Sequence, residues 1–161
     1  MSVASRRLLY AAIGIFAIFA VLQVVPSPVP QPKPKRPRWT IQSELPVSQS
    51  VEGMLKRSCL DCHSDTTRMP WYAHIAPISW LIQQDVHNAR KAVDFSEWTE
   101  RYGEKPGRAM GSLMAACAGV QSGRMPPAPY LFMHPDARLT AEERQTFCEW
   151  TTAAVKSIQK R

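Results

Sequence analysis

Residues 59–63 read C-L-D-C-H, inside the longer run K-R-S-C-L-D-C-H-S-D-T-T-R. Two thiols three positions apart, followed at once by an imidazole, restrict what the surrounding chain can become. Such a pair serves as a redox dithiol, as half of a zinc site or as an anchor for a covalently held group, and each use asks something different of the rest of the sequence. A thioredoxin-like dithiol needs a βαβ setting. This sequence has no sustained alternation of apolar and polar residues and no Asn-Gly or Asp-Gly turn, so strand signals are weak. A structural zinc site needs four ligands, usually a second pair at similar spacing. The remaining cysteines, Cys117 and Cys148, stand alone and far apart.

Helical signals are stronger. Ser48 is placed to cap a helix that carries Val51, Met54 and Leu55 and ends at Cys59. Ile78, Leu81, Ile82, Val86, Ala89 and Val93 share one face at helical spacing, as do Met110, Leu113, Met114, Cys117 and Val120. Thr140 followed by Glu143 has the form of a capping box. The helix it opens would bury Phe147, Trp150 or Thr151, Ala154 and Ile158. The expectation is a mainly α domain of about four helices, joined by loops rich in Pro, Trp and Tyr.

The third use of the thiols suits that setting. C-x-x-C-H is the attachment sequence of c-type haem. Thiols one helical turn apart can add to the two vinyl groups on one edge of a porphyrin, and the residue after the second thioether then lies beneath the ring. Cys59 and Cys62 would carry the thioether bonds, and His63 would be the proximal iron ligand. A domain over residues 42–161 buries a limited core. With irregular stretches as long as 125–139, it gains from a large apolar group at its centre.

A distal ligand could come from Met54, Met69, Met110, Met114, Met125 or Met133, or from His74, His87 or His134. Most have a plainer use. Met110 and Met114 fall on a helix face that reads as core, His134 precedes Pro135 at a loop, and His87 sits in a helix away from its apolar face. Met125 differs. It lies in S-G-R-M-P-P, where Gly123 ends the preceding helix and Pro126-Pro127 prevents its resumption. A residue before proline is restricted to extended backbone, so the loop is stiff and the thioether is expected to project inward. His/Met ligation raises the reduction potential and favours electron transfer.

Three runs carry a resemblance: C-L-D-C-H-S-D-T-T-R-M-P-W-Y-A-H-I-A-P-I-S-W-L-I-Q-Q-D-V (59–86), D-F-S-E-W (94–98) and S-G-R-M-P-P-A-P-Y-L-F-M-H-P-D-A-R-L-T (122–140). Together they are similar to the bacterial haem-binding domain family of small c-type cytochrome-like proteins, over about residues 45–150. The resemblance implies a cytochrome c-like helical domain around one covalent haem c outside the cytoplasmic membrane. It matches Cys59 and Cys62 as thioether positions, His63 as proximal ligand and Met125 in the M-P-P loop. Cys117 and Cys148 depart from the family pattern. They form either a disulfide or a pair of small buried apolar residues. The aromatics Trp71, Tyr72, Trp80, Trp98, Tyr130 and Phe132 would line a haem pocket or serve as ordinary core, two uses that largely coincide around a haem, whereas Trp150 reads as core of the last helix. Arg68, Arg90, Arg124, a Trp N–H or a Tyr hydroxyl would pair with the haem propionates.

The N-terminal arm reads separately. Net charge is +7, but residues 1–43 hold Arg6, Arg7, Lys33, Lys35, Arg36 and Arg38 and no acid, while the remainder is nearly neutral. No broad cationic face of the kind that binds nucleic acid is expected. After the n-region of residues 1–7, residues 8–25 are uncharged. Eighteen helical residues span about 27 Å, close to the hydrocarbon thickness of a bilayer. A single-pass transmembrane anchor is expected; the competitor is a cleaved signal peptide, although no clear A-x-A site follows. Residues 26–41 form a Pro-rich basic linker that favours extended polyproline II. The lysines and arginines after the span would favour a cytoplasmic domain. Covalent haem attachment outside the membrane favours a periplasmic one, anchored in the inner membrane, and we adopt the second.

The combined reading is a membrane-anchored monohaem cytochrome that carries electrons to and from an unidentified redox partner. It leans away from an enzyme: no catalytic acid–base pair, Ser-His-Asp set or phosphate loop stands out, and no small-molecule substrate is implied. The alternatives are a haem-based sensor or peroxidase-like enzyme with a displaceable sixth ligand, and a zinc-structured interaction module.

Overall fold

The computed structural model describes residues 2–25 and 40–160; the proline-rich linker lies outside them almost entirely. Among the described residues all regular structure is helical and there is no strand. They fall into two compact units, 2–25 with 69–85, and 40–68 with 86–160.

In the first unit α1 (Val3–Val24) opens on Ser2, whose Oγ accepts from Ser5 N at 3.2 Å. None of its residues is buried, and its most apolar stretch has a mean hydropathy of 2.0. An apolar surface all round is what a bilayer span presents, and 22 residues reach about 33 Å. This helix is compatible with membrane anchoring. Near its end Gln23 pairs with one backbone unit, donating to Ala76 O at 3.1 Å and accepting from Ala76 N at 3.1 Å. A short 3-10 turn, Trp71–His74, leads to α5 (Ile78–Ala92), which belongs to this unit as far as Asp85 and to the second unit from Val86 on. Along α5 the expected apolar face holds only in its later part: Val86 is buried, but Ile78 and Leu81 are exposed.

The second unit holds the core. It contains α2 (Ile41–Glu44), α3 (Gln49–Ser58), α4 (Leu60–His63), α6 (Trp98–Tyr102), α7 (Pro106–Gln121), α8 (Ala128–Met133) and α9 (Ala141–Gln159). Ser48 Oγ accepts from Val51 N at 3.3 Å and starts α3, and the helical spacing then buries Val51, Met54 and Leu55. These meet Ile41, Leu113 and Phe147 in one cluster. Met54, 1% exposed, is therefore core rather than a ligand candidate.

The longest helix pairing is α7 with α9. On α7 the buried positions are Ala109, Leu113, Gly119 and Val120, with Ala116 and Cys117 partly buried. Met114, which the spacing placed in the core, is 64% exposed. Small residues cover most of α7, so its sequence period leaves the buried face ambiguous. Cys117 of α7 and Cys148 of α9 are joined as a disulfide with Cα atoms 5.0 Å apart. Trp150 of α9 donates from Nε1 to Pro46 O at 2.9 Å.

The capping box of α9 is complete. Thr140 Oγ accepts from Glu143 N at 3.2 Å, and Glu143 Oε2 accepts from Thr140 N at 2.9 Å. The second oxygen of Glu143 accepts from Arg57 Nη2 at 2.7 Å and ties α9 to α3. Thr140→Ala is expected to lower stability by about 1 kcal/mol, the usual effect of losing an N-cap hydroxyl. Glu143→Ala, which removes the reciprocal bond and the Arg57 partner together, should lower it further. Urea midpoints at constant slope measure both.

Candidate functional site

The C-L-D-C-H segment sits where one helix stops and another begins. Cys59 N still bonds Leu55 O at 2.9 Å, while Cys59 O accepts from Cys62 N at 3.2 Å and from His63 N at 2.9 Å. One turn of helix thus separates the two sulfurs, and side chains at this spacing lie on the same side. Neither cysteine is in a disulfide, and both are partly buried. Burial pushes the Cys59 thiol up to about 12, reinforced by Cys62 and opposed by Arg57. It stays protonated at neutral pH.

His63 is held by a main-chain partner. Its Nδ1 lies 2.9 Å from Val93 O. A carbonyl can only accept, so Nδ1 carries the proton and Nε2 keeps its lone pair. Burial lowers the imidazole pKa, against the opposing pull of the Val93 and Ala89 carbonyls and of Asp94. The ring is therefore kept neutral, in the tautomer that can bind a metal through Nε2.

The segment V-D-F-S (93–96) pins this motif at several points. Phe95 N donates to His63 O at 2.9 Å, and Asp65 N donates to Ser96 Oγ at 3.0 Å. Phe95 O in turn accepts from Ile41 N at 3.0 Å. Asp94 turns the chain by accepting from Ser96 N at 2.9 Å and Glu97 N at 3.3 Å, an Asx turn. Its carboxyl pKa is raised, chiefly by burial. Arg101 approaches Asp94 Oδ2 at 3.8 Å and donates to Arg90 O at 2.6 Å.

Two arginines considered as propionate partners are turned onto the same motif. Arg90 donates from Nε to Ser64 O at 3.0 Å and from Nη2 to Thr67 Oγ1 at 2.9 Å. Arg68 donates from Nε and Nη2 to the two oxygens of Asp61, at 3.1 Å each. Arg124 donates from Nε to Ser122 Oγ at 3.1 Å.

Met125 follows Gly123, whose φ of 70° is the left-handed conformation that ends a helix. Its N–H bonds back to Gly119 O at 3.0 Å. A Cβ on Gly119 would come within 3.3 Å of Met125 Cγ, so the glycine gives this side chain its place against α7. Met125 is 44% exposed. Phe132 and Met133 on the following helix are also exposed, which leaves an apolar surface on the 125–133 segment, the kind that marks a ligand or partner site.

The structure thus brings Cys59, Cys62 and His63 together on one helical turn. Met125 is linked to them indirectly: Tyr130 of α8 donates to Asp61 Oδ2 at 3.0 Å. The expected aromatic cluster divides. Trp98 is core, between Phe95 and Tyr102 at ring distances of 6.3 and 4.5 Å, whereas Trp71 and Phe132 are exposed. The Val93 carbonyl and the Asp61–Tyr130 contact were not read from the sequence. Only the turn-forming D-F-S could have signalled the first, and nothing signalled the second. Among the described residues no group of three or more His, Cys, Asp or Glu side chains is arranged to hold a metal ion. A surface groove of about 860 Å³ lies elsewhere, over the disulfide, and is walled by Arg144, Glu149 and Lys156 among others.

Two thiols beside a neutral imidazole with Nε2 available are groups able to hold a haem. A family model described as a haem-binding domain matches residues 17–153. No curated protein and no solved structure matches the chain.

Arg90 makes a direct test of how the motif is supported. Arg90→Ala removes two hydrogen bonds and the cation that lies 3.9 Å from the buried Asp65 carboxylate, and is expected to lower stability by about 2–4 kcal/mol. Arg90→Lys should recover less than half, because an ammonium lacks the planar fork. Denaturant unfolding, with hydrogen exchange at 64–68, reads both effects.

Proposed function

The chain belongs to the haem-binding domain family, and from that premise we propose a membrane-anchored, monohaem c-type cytochrome that transfers single electrons. The observation that carries this reading is the pairing of two thiols one turn apart, neither in a disulfide, with a His63 ring whose Nδ1–H is committed to Val93 O. Cys59 and Cys62 take the thioether bonds, His63 binds the iron through Nε2, and Met125 supplies the sixth ligand. Such an iron is coordinatively saturated, which suits electron transfer better than oxygen chemistry.

In this reading residues 8–25 anchor the chain in the inner membrane after a short cytoplasmic n-region. The linker over 26–41 spaces the haem domain of residues 42–161 into the periplasm. The apolar, wholly unburied α1 supports the anchor. A periplasmic, oxidising setting also suits a Cys117–Cys148 bridge. Alkylation of denatured, unreduced, haem-free protein is expected to label Cys59 and Cys62 only; labelling at Cys117 and Cys148 rules the bridge out.

A second reading makes Met125 a displaceable ligand of a haem sensor or peroxidase-like enzyme. An optical and redox titration of the wild type beside Met125→Ala separates the cases. The carrier reading expects the variant to lose the low-spin six-coordinate spectrum, to fall in potential and to bind carbon monoxide rapidly when reduced, while the wild type binds it slowly. Rapid binding by the wild type selects the second reading. An unchanged spectrum and potential in the variant removes Met125 from the iron.

A further inference from the structure

Asp61 is the third residue of the attachment motif, a position that haem chemistry leaves free. Its carboxylate is 13% exposed and nonetheless takes four donors. Oδ1 accepts from Arg68 N at 3.2 Å and Arg68 Nε at 3.1 Å; Oδ2 accepts from Arg68 Nη2 at 3.1 Å and Tyr130 OH at 3.0 Å. Arg68 Nη2 also donates to Lys56 O at 3.1 Å. One carboxylate therefore joins α4, the loop after it and α8.

Tyr130 is well placed to transmit that tie. Its ring stacks on His134 at 4.2 Å with planes 16° apart, so the phenol is fixed at both ends. Burial and the adjacent Asp61 push its pKa up, and it remains a donor across the physiological range. It stands five residues after Met125, and Pro126 and Pro127 remove much of the backbone freedom in between. On the other side, Met125 N is held by Gly119 O of α7. Met125 lies between two anchors, Gly119 and Tyr130, and Tyr130 leads back to Asp61, two positions before His63.

We propose that Asp61 and Tyr130 are positioning residues whose mutual hydrogen bond joins the proximal segment to the distal one and keeps Met125 on the iron. The inference rests on Met125 being the sixth ligand. A charge-assisted hydrogen bond is among the stronger ties available to side chains, so its loss raises the fraction of time that Met125 is away and an external ligand can enter.

Carbon monoxide association with the reduced holoprotein, followed by stopped flow, reads that fraction. Tyr130→Phe and Asp61→Asn are each expected to speed association about tenfold, equivalent to about 1.4 kcal/mol. Both should weaken the sulfur-to-iron charge-transfer band of the oxidised protein. In a Met125→Ala background neither should add anything. Rates within twofold of wild type, with Met125→Ala fast, overturn the positioning role and leave the ligand assignment standing. Equal acceleration with and without Met125 also overturns it, since the bond would then govern access rather than ligation. If Met125→Ala itself binds no faster than wild type, the ligand assignment fails and this inference with it. Haem content per chain is measured for every variant. Tyr130→Phe, which leaves the attachment motif intact, decides the matter if Asp61→Asn protein fails to acquire haem.

Discussion

The bond from His63 Nδ1 to the Val93 carbonyl is the contact on which the rest of the site depends. Free imidazole exchanges between two tautomers and rotates about two side-chain torsions. A single acceptor that cannot donate selects one tautomer and fixes the ring plane. The main chain reinforces the choice, because Phe95 N holds His63 O from the same short segment. That segment is anchored in turn by Ile41 N on Phe95 O and by the turn at Asp94. Rigidity therefore passes from the hydrophobic core to the histidine through backbone groups, which no side-chain substitution removes directly.

The other side of the site has a different construction. Met125 hangs from the end of α7, held by a backbone bond to Gly119 and confined by two prolines. Gly119 lies two residues from Cys117, whose bond to Cys148 ties α7 to α9. The Cys59–His63 side is thus supported by a short connection threaded through the core, the Met125 side by the end of a long helix. Asp61 and Tyr130 bridge the two.

Much of this was legible in the sequence where chemistry or periodicity speaks locally. The C-L-D-C-H run, the Ser48 cap, the Thr140–Glu143 box and the buried face of α9 are each determined within a few residues, and the structure shows the helices there. Legibility failed where the answer lies in tertiary partners. Met114 and Leu81 have the spacing of core residues, yet a helix period fixes only a direction around the axis, and what lies in that direction is set by distant chain. Trp98 can be read from its type as core or as pocket lining, and which partners flank it, Phe95 and Tyr102, is set by the fold. Arg68 and Arg90 donate to Asp61, Ser64 and Thr67, groups that no spacing rule connects to them. The Val93 carbonyl was invisible for a more basic reason, since every residue has one.

The two oxygens of Glu143 are used for different purposes, one closing the first turn of α9 and the other accepting Arg57 from α3. Local and tertiary order at that end of the helix therefore share a single group. Fraying of the first turn releases Arg57, and undocking from α3 frees the carboxylate that closes the turn. Such sharing converts two weak equilibria into one cooperative step. The start of α9, which carries half of the longest helix pairing in the domain, should accordingly form or melt together with its contact to α3 rather than as an independently fluctuating end.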